Sequence, residues 1–524
     1  MKYRKILFVI TLLSLLCCCK QEEDFDVSAM SDKSIAATGV TLGRRLVNAY
    51  STKNMRLAYI SLYGSAGVSA ITTTHLYGRI LSDSLSVEQI NNLLEDTTID
   101  VYPYPLDYEI VGSGEYTPYP STPMYLYMVS PIGWPVEKYP YKLIDSCCIP
   151  DDNDNELQAV EKESLRLTGN TVADSIPPHH AQLGSRVAGS PSGYITVYNT
   201  RTHQNEGVRN VKIKMNTLVR VRNEYTDSAG FYSCATRFYT NVCYTIFYAN
   251  RAGFKLWRNN LNILPHTMCL GVHHPNGYSY NMSTNSYGWY GATVNNAEDI
   301  FINSLCNDLS LPQPIRNLRI MLLGSSNFGN ASTPMFYHRH YVDPAYVNQF
   351  GSNSMVQTCT NILPDMFIAG NPLRTDILYN TVFHESLHAL HYANAGDDYW
   401  FRLIIGSILM GNSYGNPNSL YAGYIGVAEM LAYYGDSVLS YYYWTHYKSI
   451  SDSMASLQYA SAWFRPDLLD SISQNIPSLQ LGDIFYLADS NLCSHCNLTM
   501  AMVHQVNFAQ RMRVRQIMSP VCPF

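Results

Sequence analysis

Charged residues are scarce in this sequence: they make up 15% of its 524 residues, whereas hydrophobic residues make up 46%. A chain stays disordered when its hydrophobicity is low and its net charge is high, so this composition predicts that most of the chain folds. The formal net charge of −6 lacks the basic excess that nucleic-acid binding uses, and we expect no nucleic-acid partner. The length exceeds what one hydrophobic core covers and predicts two to four domains.

The apolar run near the N terminus is too short to span a bilayer. It reads "ILFVITLLSLL" and follows the basic residues Lys2, Arg4 and Lys5, a pattern that predicts a signal peptide. The run ends in "CCCK" and lacks the small-residue site of ordinary secretory cleavage. "LLSLLCCCK" resembles a bacterial lipoprotein signal, which implies that a cysteine becomes the lipidated first residue of the mature chain.

Cys19 is the preferred lipidation site among Cys17, Cys18 and Cys19, because the polar "KQEED" then follows it directly as a tether. This choice gives a signal peptide over residues 1–19 and a tether over residues 20–40. The basic-then-acidic tether resembles the surface-export signal of some Gram-negative lipoproteins, which implies a surface-exposed lipoprotein of the outer membrane. The alternative is a plain N-terminal membrane anchor.

Cysteines beyond residue 19 are scattered and number only ten, so the sequence excludes a dense disulfide framework. Cys234 and Cys243 can pair if they lie on adjacent strands. The motif "CSHC" (Cys493 to Cys496) has no second C-x-x-C to complete a structural zinc site, which favours a local disulfide or two free thiols.

Residues 41–190 form a predicted N-terminal domain of unknown role. The pattern over residues 41–98 is typical of helices, most clearly in "VEQINNLLED". Residues 102–140 are rich in proline and tyrosine, which favour extended segments and turns. A charged helix is predicted in "NELQAVEKESLRL", and a polar, proline-broken linker follows it.

Residues 191–258 have the pattern of a small β-sandwich. "GYITVYNT" and "EGVRNVKIKM" alternate apolar and polar residues, and "TDSAGFY" places a turn between strands. This series resembles the carboxypeptidase-regulatory-like, transthyretin-type sandwich of exported bacterial proteins. The resemblance implies a spacer or binding module and brings no catalytic residue with it.

Residues 259–524 have a mixed pattern, so the predicted fold class of the whole chain is multidomain α+β, with the sandwich followed by an α+β domain. "LRIMLL" (residues 318–323) and "PDMFIAG" (residues 364–370) are predicted strands. Thr375 or Asp376 can cap a helix that runs to about residue 391.

The segment "TVFHESLHALHYANAGDD" (residues 381–398) concentrates histidine and acid on this predicted helix. His384 and His388 are four residues apart and share one helical face, so both imidazoles can bind one ion. Glu385 lies about 100° around the helix from His384 and can reach a metal-bound water without acting as a ligand. Apolar flanks predict a buried helix, where unpartnered imidazole and carboxylate groups would be costly. The pattern therefore predicts a metal site, and zinc hydrolases use such a ligand arrangement.

"HESLH" and the strand predicted before it resemble the zincin metallopeptidases. The resemblance implies that His384 and His388 hold Zn²⁺, that Glu385 is the general base and acid, and that an edge strand holds the substrate backbone. His391 and Asn394 stand where the metzincin pattern requires glycine and histidine. That branch of the zincins is therefore excluded.

Glu429 in "YAGYIGVAEMLAYYGD" is the preferred third ligand. It lies in a predicted second helix ending at Gly435, where small residues such as Gly426 allow close approach to the first helix. "AEMLA" resembles the second-helix motif of the gluzincins, although Tyr433 stands where that motif carries a further acidic residue.

Two alternatives to Glu429 stay open. His391 shares the face of His384 but lies one turn beyond His388, and Asp397 or Asp398 can mimic an aspartate ligand. The tetrahedral intermediate of peptide hydrolysis also needs an oxyanion stabiliser. The sequence offers four unranked candidates for it, namely Tyr433, Tyr434, His446 and His495.

These observations predict a lipid-anchored zinc metallopeptidase of gluzincin type that acts on peptides or proteins. The principal alternative is a non-catalytic surface lipoprotein that binds glycans or host proteins and keeps a relic zincin domain. A weaker alternative is a different zinc hydrolase on the same scaffold.

Overall fold

The structure, a computed structural model, describes residues 39–523 except 118–123, 172–187, 259–263, 285, 287, 324–330, 340–363, 370–373, 410–415 and 452–461. The predicted signal peptide, Cys19 and nearly all of the tether lie outside the described residues. Within the described ranges, no helix combines the length and the hydropathy needed to cross a membrane.

Strands and helices both contribute heavily, which confirms the mixed α+β class. The strands are β1 Thr41–Arg45, β2 His75–Leu81, β3 Asp100–Tyr102, β4 Tyr108–Val111, β5 Tyr125–Pro131, β6 Tyr141–Cys147, β7 Ser192–Asn199, β8 Gln204–Gly207, β9 Val211–Thr217, β10 Arg220–Tyr225, β11 Phe231–Ser233, β12 Val242–Asn250, β13 Lys255–Arg258, β14 Thr267–His273, β15 Tyr280–Met282, β16 Arg319–Leu323 and β17 Met366–Ala369. The helices are α1 Thr52–Tyr63, α2 Val87–Glu95, α3 Asn155–Leu167, α4 Trp289–Ile300, α5 Cys306–Asp308, α6 Thr375–Leu409, α7 Ala422–Tyr442, α8 Asp467–Asn475, α9 Leu481–Leu487, α10 His495–Gln505 and α11 Phe508–Met518.

The N-terminal region holds an antiparallel sheet in the order β3-β5-β2-β6. The helices α2 and α3 form where the sequence predicts them, and α2 starts with a capping box between Ser86 and Gln89. The helical prediction for residues 41–98 is wrong at β1 and β2. Strand β2 pairs along its length with β5 and β6, so contacts distant in sequence decide its conformation.

The central sheet has the order β10-β9-β12-β13-β16-β17, and β14 also pairs with β12. All nine residues of β12 are buried, as expected for a strand with neighbours on both edges and cover on both faces. Pairing is antiparallel up to β13 and parallel from β13 through β16 to β17. The pairing of the sheet therefore changes from antiparallel to parallel at β13, on the side where β17 precedes helix α6 in the chain.

Strands from both sides of residue 258 share these sheets. β13 pairs with β16, β12 pairs with β14, and β7 of the second sheet (β11-β7-β15, with β8 beside β7) pairs with β15. One hydrophobic cluster also extends from Ile195 to Met518. The strands of the predicted sandwich thus form one continuous core with the segment that follows them.

Helix α6 carries "HESLH" and is longer than the sequence predicts. It continues past residue 391 and bends at Gly396, whose φ of 79° is accessible to glycine without steric cost. Helix α7 does not end at Gly435, as predicted, but continues to Tyr442. A Cβ atom on Gly435 would lie 2.5 Å from Cδ1 of Leu387, so this glycine is where α7 approaches α6 closely. The predicted contact residue Gly426 instead faces His495 and Trp463.

The cysteine pairings differ from the sequence predictions. Cys496 forms a disulfide with Cys522, not with Cys493, which is a free thiol. Cys234 and Cys243 are both free and buried. Cys243 lies instead beside Cys269 of the neighbouring strand, with 3.6 Å between the two sulfur atoms. Sequence spacing could not reveal either neighbour, because both contacts depend on how distant segments pack.

Candidate metal centre

The two histidines of "HESLH" project from one buried face of α6. His384 is 5% exposed and His388 is 6% exposed, among apolar neighbours such as Phe383 and Leu387 that are fully buried. The Nε2 atoms of the two imidazoles lie 3.1 Å apart. The i, i+4 spacing therefore brings both rings to one point, as predicted.

Glu429 reaches the same point from α7. Its Oε2 lies 3.6 Å from Nε2 of His384, and its Oε1 lies 3.6 Å from Nε2 of His388. Ligand atoms of the three residues lie within 4.8 Å of one another, and no other His, Cys, Asp or Glu cluster among the described residues could hold a metal ion. Metal bonds of about 2.0–2.1 Å in a tetrahedral site separate their ligand atoms by about 3.3 Å, close to the observed spacings.

An unpaired carboxylate oxygen at this point fits a cation. Oε2 of Glu429 is buried without a hydrogen-bond partner. Burial lowers the pKa of His388 to about 4, so its imidazole is neutral near pH 7 and offers a lone pair. A buried carboxylate oxygen without a partner is costly, and a metal ion shared with the two Nε2 atoms would satisfy it. His384, His388 and Glu429 could thus hold a metal ion.

Asp436 completes the surroundings of His384 and is not among the site residues predicted from the sequence. Nδ1 of His384 lies 2.8 Å from Oδ2 of Asp436, which is 2% exposed. A proton on Nδ1 leaves the lone pair of Nε2 directed at His388 and Glu429. Asp436 lies seven residues after Glu429, so two helical turns place both acids on one face of α7. The seven-residue spacing from Glu429 is a sequence signal for Asp436, whereas the gluzincin motif has its further acidic residue four positions on, where Tyr433 stands.

Glu385 lies beside the three candidate ligands and is 1% exposed. Its Oε2 accepts a 2.7 Å hydrogen bond from the hydroxyl of Thr333. The pKa of Glu385 is raised to about 7, chiefly by burial; His384 and the Thr333 hydrogen bond lower this pKa, and the carboxylates of Glu429 and Asp436 raise it. A carboxylate with a pKa near neutrality can both accept and donate a proton at physiological pH.

β17 is the last strand of the central sheet, and a short segment bridges to its outer side. Ser332 and Phe367 exchange two backbone hydrogen bonds of 3.0 and 2.8 Å in an antiparallel bridge, and the Met335 amide donates to the Asp365 carbonyl. We call residues 331–335 the edge segment. It bridges to β17 on the side away from β16 and brings Thr333 to Glu385.

The alternative ligands lie elsewhere. His391 packs its ring against Tyr399 and Trp400 and does not join the cluster. Asp397 accepts a 2.6 Å hydrogen bond from the Tyr392 hydroxyl, and Asp398 is exposed. Neither aspartate therefore replaces Glu429.

Of the four oxyanion candidates, Tyr433 lies at the cluster, with its ring centroid 4.4 Å from that of His384. The Tyr434 hydroxyl bonds to Ser473, and His446 is exposed and stacks on Tyr442. His495 packs against Gly426 and Trp463.

The centre therefore consists of three candidate ligands, a buried carboxylate beside them and an aspartate behind one imidazole. Comparisons of the chain with models of protein families, with curated proteins and with solved structures found no match.

Proposed function

We propose that this chain is a zinc-dependent metallopeptidase of gluzincin type that hydrolyses peptide bonds in peptides or proteins. The observation that carries the proposal is the convergence of His384, His388 and Glu429 within 4.8 Å, with Glu385 buried beside them. Two imidazoles and one carboxylate are a ligand set of catalytic zinc sites, which keep a further position open for water.

Each polar group at the centre has a role in this reaction. When bound, zinc supplies Lewis acidity that activates water and polarises the scissile carbonyl. Glu385 takes the proton from the attacking water and passes it to the leaving amine. Asp436 holds the proton of His384 on Nδ1 and keeps Nε2 available as a ligand. Tyr433 is the best-placed of the candidate oxyanion donors.

The strand arrangement around the centre supports a zincin-type domain. β16 and β17 are parallel, the edge segment is antiparallel to β17, and α6 follows β17 in the chain. An extended substrate can lie along the outer side of the edge segment, beside Glu385, and pair with its backbone. The strands β7 to β12 would be a transthyretin-type sandwich joined directly to this domain.

We further propose that Cys19 carries lipid and anchors the protein at the outer membrane with its fold facing outwards. The signal-like "LLSLLCCCK" supports this proposal. Metabolic labelling with palmitate should mark the wild-type protein and fail to mark Cys19→Ala. Equal labelling of both would contradict the assignment.

Substitution of Glu385 by glutamine tests the mechanism. Glu385→Gln should bind one zinc ion per chain, because the ligands remain, yet it should lose peptidase turnover by at least about 100-fold, because the proton acceptor is gone. The assay uses mixed protein substrates with and without a metal chelator, and metal analysis gives the zinc content. Ala393→Val, exposed on the same helix, is the control and should retain activity.

Two outcomes contradict the proposal. Wild-type protein that carries zinc and cleaves no protein substrate favours a binding lipoprotein, and chelator-sensitive cleavage of non-peptide substrates alone favours another zinc hydrolase. Glu385→Gln with wild-type turnover contradicts the assigned general base.

A further inference from the structure

Thr333 connects the edge segment to the candidate general base. It is 7% exposed, and its hydroxyl lies 2.7 Å from Oε2 of Glu385 and 3.0 Å from the Glu385 carbonyl oxygen. Its own carbonyl accepts a 2.8 Å hydrogen bond from Nε1 of Trp400. Glu385 and Trp400 lie on opposite sides of the bend at Gly396, so Thr333 contacts both halves of α6.

The backbone around Thr333 is held by the sheet. The neighbouring Ser332 bridges to Phe367 of β17, and Met335 donates to the Asp365 carbonyl. Further along, the Tyr337 hydroxyl donates to Glu95 at the end of α2. The Thr333 hydroxyl therefore has a fixed position set by backbone pairing.

The hydrogen bond from Thr333 limits where the Glu385 carboxylate can lie relative to the metal ligands. Glu385 directly follows the candidate ligand His384, and a carboxylate oxygen is itself a good zinc ligand. A hydrogen bond to Oε2 restrains the side chain and leaves Oε1 as the oxygen that can exchange protons. Without this bond, electrostatic attraction would draw the buried carboxylate to the cation and close the position that water needs.

We propose that Thr333 is a positioning residue that keeps the Glu385 carboxylate beside the metal ligands and prevents it from becoming a fourth ligand. This inference rests on the proposed metallopeptidase function. The role belongs to the hydroxyl group: serine can perform it, and valine, which has the same shape, cannot.

The test compares Thr333→Val and Thr333→Ser with wild type and with Thr381→Val. Thr381 lies on α6, and its hydroxyl donates within the helix to the Ile377 carbonyl. In Thr333→Val, kcat on mixed protein substrates should fall about 10- to 100-fold with little change in KM. Thr333→Ser should recover most of kcat, and Thr381→Val should match wild type.

Cobalt substitution gives a readout that does not depend on activity. Cobalt(II) in place of zinc reports its ligands through its visible absorption, so an additional carboxylate ligand in Thr333→Val should change the spectrum. Thr333→Ser and Thr381→Val should keep the wild-type spectrum.

Two results overturn the positioning role: Thr333→Val with both wild-type kcat and wild-type cobalt absorption, or Thr333→Ser that is as impaired as Thr333→Val. Wild-type protein without chelator-sensitive peptidase activity overturns the proposed function instead, and the cobalt spectra then still decide the position of Glu385.

Discussion

Asp436 determines which nitrogen of His384 carries the proton. The two groups are buried together, and the 2.8 Å contact fixes both the tautomer and the orientation of the ring. A ligand histidine without such a partner loses basicity and rotates more freely. The orientation of the His384 ring thus depends on a contact between α6 and α7, made by His384 and Asp436.

Substitution of Asp436 by asparagine should weaken zinc binding about 10- to 100-fold, because the neutral amide stabilises the proton on Nδ1 less than a carboxylate does. Competition with a chromophoric chelator measures the affinity. Asp398→Asn, an exposed site on α6, should leave it unchanged. Equal zinc affinities for wild type and Asp436→Asn would show that the aspartate does not support the ligand.

Single residues were predictable from the sequence where local spacing alone decides their position. His384 and His388 share a face because of helical periodicity, and the gluzincin-like motif AEMLA together with the small residues around it predicts Glu429 as the third ligand. Thr333 could not be predicted. It reaches Glu385 from 52 residues earlier in the chain, through a backbone pairing that leaves no periodic pattern.

At the scale of the helix, Gly435 of α7 was wrongly predicted to mark a helix end. Glycine after an apolar periodic run is typical of a helix end, yet Gly435 lies inside α7 and faces Leu387. The absence of a side chain there serves helix packing. The sequence cannot distinguish the two uses, because they differ only in what lies opposite the glycine.

Gly435→Val should lower the free energy of unfolding by about 1–3 kcal/mol, since its side chain would overlap Leu387 in a packed core. Chemical denaturation measures the change. In combination with Leu387→Ala, the cost of Gly435→Val should shrink, because the space is then open. Ala393→Val should change stability by about 0.5 kcal/mol or less. Strictly additive effects of Gly435→Val and Leu387→Ala would contradict the close approach.

At the scale of the whole molecule, strands were easier to predict than their partners. The patterns of β7 and β9 indicated strands, and they contributed to the prediction of a mixed α+β class. The parallel pairing of β13 with β16 joins residues about sixty positions apart. Sequence alternation indicates which face of a strand is buried and carries no information about the neighbouring strand. The sequence therefore could not show that strands on either side of residue 258 share sheets.

The buried ion pair between Glu161 of α3 and Arg220 of β10 links the N-terminal region to the central sheet. Each residue is 1% exposed, Tyr50 donates a 2.6 Å hydrogen bond to Glu161, and Asp152 lies 2.7 Å from Arg220. Loss of one partner of a buried pair costs about 3–5 kcal/mol, because the other charge stays in an apolar environment. Many proteases are activated when a propeptide is cut away. In the peptidase we propose, such trimming ahead of β7 would remove Glu161 and Asp152, the two acidic partners of Arg220, and uncover this side of the central sheet. We therefore expect the N-terminal region to stay with the fold rather than act as a zymogen segment.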